Sequence, residues 1–207
     1  MTEFLYLLKT FLFLFAVIDP VGSVPVFLEA TKNFDYATKK KVAVNACIIA
    51  FFILLFFIVA GQLIMEAMNI TLPAFQIAGG LILFLFALTM IFGEGKPEGE
   101  KHLIKDYSHV TVFPIAMPSI ASPGALLSVV LLTDNNTYTL PQQALTSFIV
   151  LLVIAATYLL LLAARKVQDK VGETGILVIS KIMGLILASF AVQNILSGIT
   201  EYFNLAN

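Results

Sequence analysis

The chain has 207 residues, 59% of them apolar and 12% charged, with a net charge of −1 and a mean hydropathy of +0.97. A water-soluble domain carries roughly 25% charged and 45–50% apolar residues, so too little polar surface is present to clothe a soluble body, and bilayer hydrocarbon must be part of the solvent. The lone cysteine, Cys47, excludes an intramolecular disulfide and a CxxC redox pair, and with no basic patch apart from the short loops no nucleic-acid partner is expected.

The N-terminal run does not read as a cleaved signal peptide. Glu3 stands where a basic region belongs, Lys9 interrupts the apolar run, and no A-x-A-like site follows. A spanning helix needs roughly 17–25 mostly apolar residues, and six stretches meet that length: 4–28, 42–65, 72–92, 110–133, 143–164 and 176–199. Lys32, Lys39, Lys40 and Lys41 lie between the first two stretches, Lys96, Lys101 and Lys105 between the third and fourth, and Arg165, Lys166 and Lys170 between the fifth and sixth. The alternate connections and the C-terminal tail hold no Lys or Arg. Because basic loops stay cytoplasmic, both termini are expected outside a cell membrane crossed six times. Tyr6, Tyr36, Tyr107, Tyr138 and Tyr202 fall near span ends, where an amphipathic ring suits the headgroup zone.

The third and sixth stretches share a phrase. Gly80-Leu81-Ile82-Leu83 recurs 104 residues later as Gly184-Leu185-Ile186-Leu187, and in that register Phe86, Ala87 and Ile91 match Phe190, Ala191 and Ile195. The first and fourth stretches are both interrupted by proline and glycine, with Pro20 and Pro123 103 residues apart. The spacing predicts a single membrane domain over 1–207 built from two three-helix units, about 1–93 and about 110–207. An odd number of spans per unit forces the second copy to enter from the opposite side. The expected fold is therefore all-α, two inverted repeats with helices 1 and 4 broken, and in such folds paired broken helices at the repeat interface mark the binding site.

The first break reads Asp19-Pro20-Val21-Gly22-Ser23-Val24-Pro25, and the second lies at Ser122-Pro123-Gly124 within Pro114–Ala125. Proline removes an amide donor and clashes with the preceding turn, whereas glycine lets the chain leave helical geometry. Irregular backbone cannot face lipid, so each break must be buried in protein or line a wet cavity. A half-helix restarting there presents free N–H groups and a positive dipole end, suited to a carboxylate. The sequence alone also allows two packing kinks, but their matching positions favour a site formed by Asp19, Pro20, Gly22 and Ser23 with Ser122, Pro123 and Gly124.

Ionisable residues within spans default to functional hypotheses. Asp19 and Lys181 both lie roughly 8–14 Å from the cytoplasmic ends at ~1.5 Å per residue. Lys181 either pairs with Asp19 or snorkels to the interface, and Asp19 also suits the cap of the following half-helix. Asn45, Gln76, Gln193 and Asn194 are further polar candidates for substrate contact, although such side chains commonly bond a neighbouring helix.

The phrases FAVIDPVGSVPVFL, FQIAGGLILFLFALTMIFG and FPIAMPSIASPGA resemble those of the MarC family of bacterial and archaeal membrane proteins, in order and over nearly the whole chain. Ser122 departs from the glycine expected in the family phrase IAGPGA, which would narrow the site or add a hydroxyl. The resemblance implies an architecture like that of LysE-type exporters. It also implies a role related to multiple antibiotic resistance or to transport of small neutral amino acids such as glycine and alanine. The expected partners are then an amino acid, a coupling H⁺ or Na⁺, the bilayer itself and a second copy of the chain. A channel or a non-transporting membrane regulator is the alternative.

No enzyme is expected. An intramembrane aspartyl protease needs two carboxylates, and Asp19 is the one Asp or Glu deep in a span. A rhomboid-like serine protease needs a histidine in a span, whereas His102 and His109 both lie around the connection between the third and fourth stretches. No metal cluster, phosphate loop or cofactor motif is present.

Overall fold

Proline at position 20 has no N–H to give to a continuous helix, and the first apolar run accordingly divides into α1 (Thr2–Ile18) and α2 (Ser23–Ala30). A computed structural model describes residues 2–92, 107–203 and 205. The expected Lys96, Lys101, Lys105 and His102 connection lies outside the described residues. α3 (Tyr36–Ala67) starts at Asp35, whose carboxylate accepts from Ala37 N at 3.2 Å. The Thr38 side-chain hydrogen bond, together with backbone amides, holds that carboxyl below its ordinary range. α4 covers Leu72–Phe92, the bounds expected from its apolar run.

The fourth span is less regular than its sequence suggests. The short α5 (Tyr107–Val110) leads into a wide-turned segment, Thr111–Ile120, in which Phe113 and Met117 are extended. Each precedes a proline, joined through a cis peptide to Pro114 or Pro118, and a residue before proline is pushed out of the α region. After a break at Ala121 and Ser122 the chain restarts as α6 (Pro123–Leu131), bent by 54° from the preceding half. α7 (Leu140–Leu162) follows, opened by Thr139, whose backbone N donates to Gln142 Oε1 at 2.9 Å. The expected loop carrying Arg165, Lys166 and Lys170 is helical instead. α8 (Ala164–Tyr202) begins immediately after Ala163 and turns at Gly172, where φ is +73°.

By length and composition, five helices suffice to cross a membrane, α1 and α2 together forming one, and the bent α5–α6 pair supplies a sixth. The chain is all-helical among its described residues and has no strand there.

Between membrane helices there is no hydrophobic driving force, so close backbone packing at small residues does the work. The α4–α8 pair shows this most fully. A Cβ at Gly80 would stand 3.0 Å from Ala191 O and 2.7 Å from Ile195 Cγ1. One at Gly184 would stand 3.1 Å from Ala87 O and 3.1 Å from Ile91 Cγ1, and one at Gly198 2.8 Å from Pro73 O. The two helices are thus antiparallel and in near-backbone contact along their length. The Gly80 contacts map onto the Gly184 contacts under the 104-residue offset, an arrangement consistent with a duplicated unit. Around this pair, α1 packs on α6 and α7, α2 on the Thr111–Ile120 segment and α8, and α3 on α7 and α6.

Candidate functional site

The two restarts are built alike. Asp19 Oδ1 accepts from Gly22 N at 2.9 Å, and Ser122 Oγ accepts from Ala125 N at 3.1 Å. Donor and acceptor are three residues apart in both, and the two caps are 103 residues apart. Ser122 is the N-cap of α6 and satisfies one of its first-turn amides, whereas Asp19 bonds the amide of Gly22, the residue just before α2. The caps differ in charge: a carboxylate heads α2 and a hydroxyl heads α6.

Asp19 is 2% exposed and adopts φ = +49°. Aspartate is among the few side chains that visit this left-handed region, because its short polar group bonds locally. Its backbone N donates to Phe15 O at 3.0 Å and its carbonyl accepts from Ser23 N at 3.1 Å, so the chain turns sharply without losing its hydrogen bonds.

The breaks meet through side chains. Ser119 Oγ donates to Ser23 Oγ at 3.1 Å, and Ser23 Oγ donates onward to Asp19 O at 3.1 Å. Ser122 Oγ lies 3.5 Å from Val17 O, one of the last carbonyls of α1. Ser23, Ser119 and Ser122 are each at most 3% exposed. Two irregular backbones are thereby covered by one another, which is the condition a bilayer imposes. Ser119 and the Val17 carbonyl were not among the expected site groups. The signal for Ser119 was its place one helical turn before Ser122 within the same Pro-rich phrase.

The glycines do not sit where the sequence suggests. Gly22 and Gly124 were expected at the unwound points, facing each other. Instead Asp19, Ala121 and Ser122 carry the non-helical backbone, while Gly22 has φ −68° and ψ −15° and Gly124 lies in the first turn of α6. Both make room rather than bend the chain. A Cβ at Gly22 would overlap the Asp19 carboxylate, and one at Gly124 would stand 2.5 Å from Leu83 Cδ1 of α4. Pro20 is buried beside Asp19, whereas Pro123 is exposed at the start of α6.

Of the two readings of Lys181, pairing with Asp19 or reaching the interface, the hydrogen bond seen goes to neither. Lys181 Nζ donates to Ile91 O at 2.5 Å, at the C-terminal end of α4, where a cation complements the helix dipole. Lys32 and Glu29 form an exposed ion pair at the end of α2.

The remaining polar candidates lie apart from the breaks. Asn45 is exposed on α3. Gln76 lies on the α4–α8 seam, its Cβ 3.3 Å from where a Gly198 Cβ would be, and its Oε1 is buried without a hydrogen bond among the described residues. Gln193 Nε2 donates to Ser197 Oγ at 3.3 Å and Asn194 Nδ2 to Phe190 O at 3.1 Å, both within α8. Among the described residues no group of three or more His, Cys, Asp or Glu could hold a metal ion.

The chain resembles membrane proteins of bacteria and archaea. The chain is 33% identical to a UPF0056 membrane protein of Methanocaldococcus jannaschii over 94% of its own length and 96% of that protein. It is 34% identical to one of Aquifex aeolicus over 92% and 91% of the two chains. With the UPF0056 membrane protein YvbG of Bacillus subtilis it shares 33% identity over 97% of both. No solved structure matches it. The model of MarC family integral membrane proteins matches residues 4–203, and over that span the chain belongs to the MarC family, as an integral multi-pass membrane protein.

Proposed function

We propose that this protein is a secondary transporter of small neutral amino acids of the glycine or alanine kind, coupled to H⁺ or Na⁺. The observation that supports the reading is the pair of matching breaks, each capped by its own side chain and joined through Ser119 and Ser23. In this reading the two halves are inverted repeats, and the site lies at their interface. The membrane is the plasma membrane, with both termini outside.

The unequal caps orient a zwitterion. The α2 start is already offset by the Asp19 carboxylate, so this end of the site favours the substrate ammonium or the coupling cation. The α6 start carries neutral Ser122, and its uncompensated positive end favours the carboxylate.

Counterflow of labelled glycine or alanine in proteoliposomes, with and without a proton or sodium gradient, tests the reading. A transporter gives saturable uptake and counterflow. Linear flux without counterflow supports a channel, and no flux under any gradient supports a non-transporting regulator.

A further inference from the structure

We infer that the outward face of α3 is a binding site for an anionic phospholipid of the leaflet on the Lys41 side. Ile48, Phe52 and Phe56 are 48%, 62% and 56% exposed. With Ile49, Ile53 and Phe57 they line an apolar groove of about 430 Å³ that runs along the helix. Residues spaced three, four and seven apart share one helix face, and Asn45 and Lys41, both exposed, stand on this face below the groove.

The dimensions fit one lipid. From Lys41 to Phe56 the helix rises about 22 Å at 1.5 Å per residue, close to half of a bilayer of ~40–45 Å including headgroups. Asn45 stands about 6 Å above Lys41, at the level of the glycerol esters when the ammonium meets the phosphate. An exposed amide within a span has no role in helix packing, and ester carbonyls give it acceptors that acyl chains lack.

Charge selects the lipid. Asp35, the carboxylate nearest along α3, is engaged by Ala37 N and Thr38, and the ion pair found among the described residues involves neither Asp35 nor Lys41. Lys39 and Lys40 add positive charge beside Lys41. An anionic headgroup therefore finds a cation at the foot of the groove that a zwitterionic one answers less well.

The chain contains no tryptophan, so Phe52→Trp introduces a single reporter into the groove. The protein is reconstituted in phosphatidylcholine vesicles containing brominated phosphatidylglycerol or brominated phosphatidylcholine, and quenching gives the relative affinity of the site. The expected result is an affinity about fivefold higher for phosphatidylglycerol, the ratio that ~1 kcal/mol per basic residue at an anionic surface corresponds to. That preference should fall to near unity with Lys41→Gln and be reduced by Asn45→Leu. Leu185→Trp, on the exposed face of α8, should show no preference. Equal quenching of Phe52→Trp by both lipids, or a preference that survives Lys41→Gln, overturns the assignment. Shielding of Phe52→Trp from both lipids while Leu185→Trp is quenched also overturns it, because a second copy of the chain then covers the face.

Discussion

Asp19 and Ser122, 103 residues apart, each accept a hydrogen bond from the backbone N–H three residues on, one with a charged carboxylate from a left-handed residue and the other with a neutral hydroxyl from an extended one. Under the transport reading this inequality sets the electrostatic direction of the site. Asp19→Ser should leave two neutral caps, and Ser122→Asp two acidic ones. Each single substitution is expected to lower counterflow of glycine by ~10-fold or more, equivalent to ~1.4 kcal/mol. Because the restarts are built alike, the double exchange should recover a substantial part of the loss. Additive losses in the double variant would mean that the two caps are not interchangeable halves of one site.

The α4–α8 seam makes a prediction about stability independent of transport. An alanine methyl at Gly80 meets the Ala191 carbonyl at 3.0 Å, and one at Gly184 meets the Ala87 carbonyl at 3.1 Å. Backbone cannot yield as a side-chain tip can, so the helices must separate. Each substitution should cost ~1–3 kcal/mol, the usual range for overpacking, and the two costs should be similar because the contacts are reciprocal. Gly175→Ala, which meets only the Val171 side chain, is the comparison and should cost less. Thermal or denaturant unfolding in detergent measures all three.

Much of this architecture was legible from the sequence, and the failures have identifiable causes. Leu72–Phe92 was bounded correctly because polar residues flank an unbroken apolar run. The repeat offset was visible in Gly80 and Gly184, and the seam explains why: both glycines face a carbonyl of the partner helix. The extended residues Phe113 and Met117 were read as part of one helix with a single break, although each precedes a proline and could have been suspected on that ground. Depth along the membrane allows Lys181 either to pair with Asp19 or to reach the interface, but depth leaves azimuth open, and the ammonium bonds the Ile91 carbonyl of α4. The glycines were credited with bending the chain, whereas Asp19 itself took the left-handed conformation and Gly22 made room for its carboxylate.

Topology is testable with the chemistry the chain already offers. Cys47 is its one cysteine and is buried, so Cys47→Ala gives a background for introduced thiols. Asn136→Cys, in the α6–α7 connection, should react with impermeant maleimide added outside intact cells. Lys166→Cys, at the start of α8, should react only after permeabilisation. Reversal at either position contradicts termini-out orientation. The same side at both positions contradicts an odd number of crossings between them and with it the inverted-repeat reading.

The last prediction separates the two glycines of the breaks. A Cβ at Gly22 overlaps the Asp19 carboxylate, whose Oδ1 is at the same time held by the Gly22 amide. The carboxylate cannot move away without giving up its bond to Gly22 N, so Gly22→Ala must displace the buried Asp19 carboxylate. At Gly124 the obstacle is Leu83 Cδ1 at 2.5 Å, the end of a side chain that can change rotamer, although Leu83 is fully buried and its packing resists. Gly124→Ala is therefore expected to reduce counterflow modestly and Gly22→Ala to abolish it, with insertion and expression of both near those of the parent chain. Adding Asp19→Asn to Gly22→Ala should not restore transport, since the clash is with the side chain's position and not only with its charge. Equal, near-parental transport in Gly22→Ala and Gly124→Ala would show that the breaks shape packing alone and that the substrate passes elsewhere.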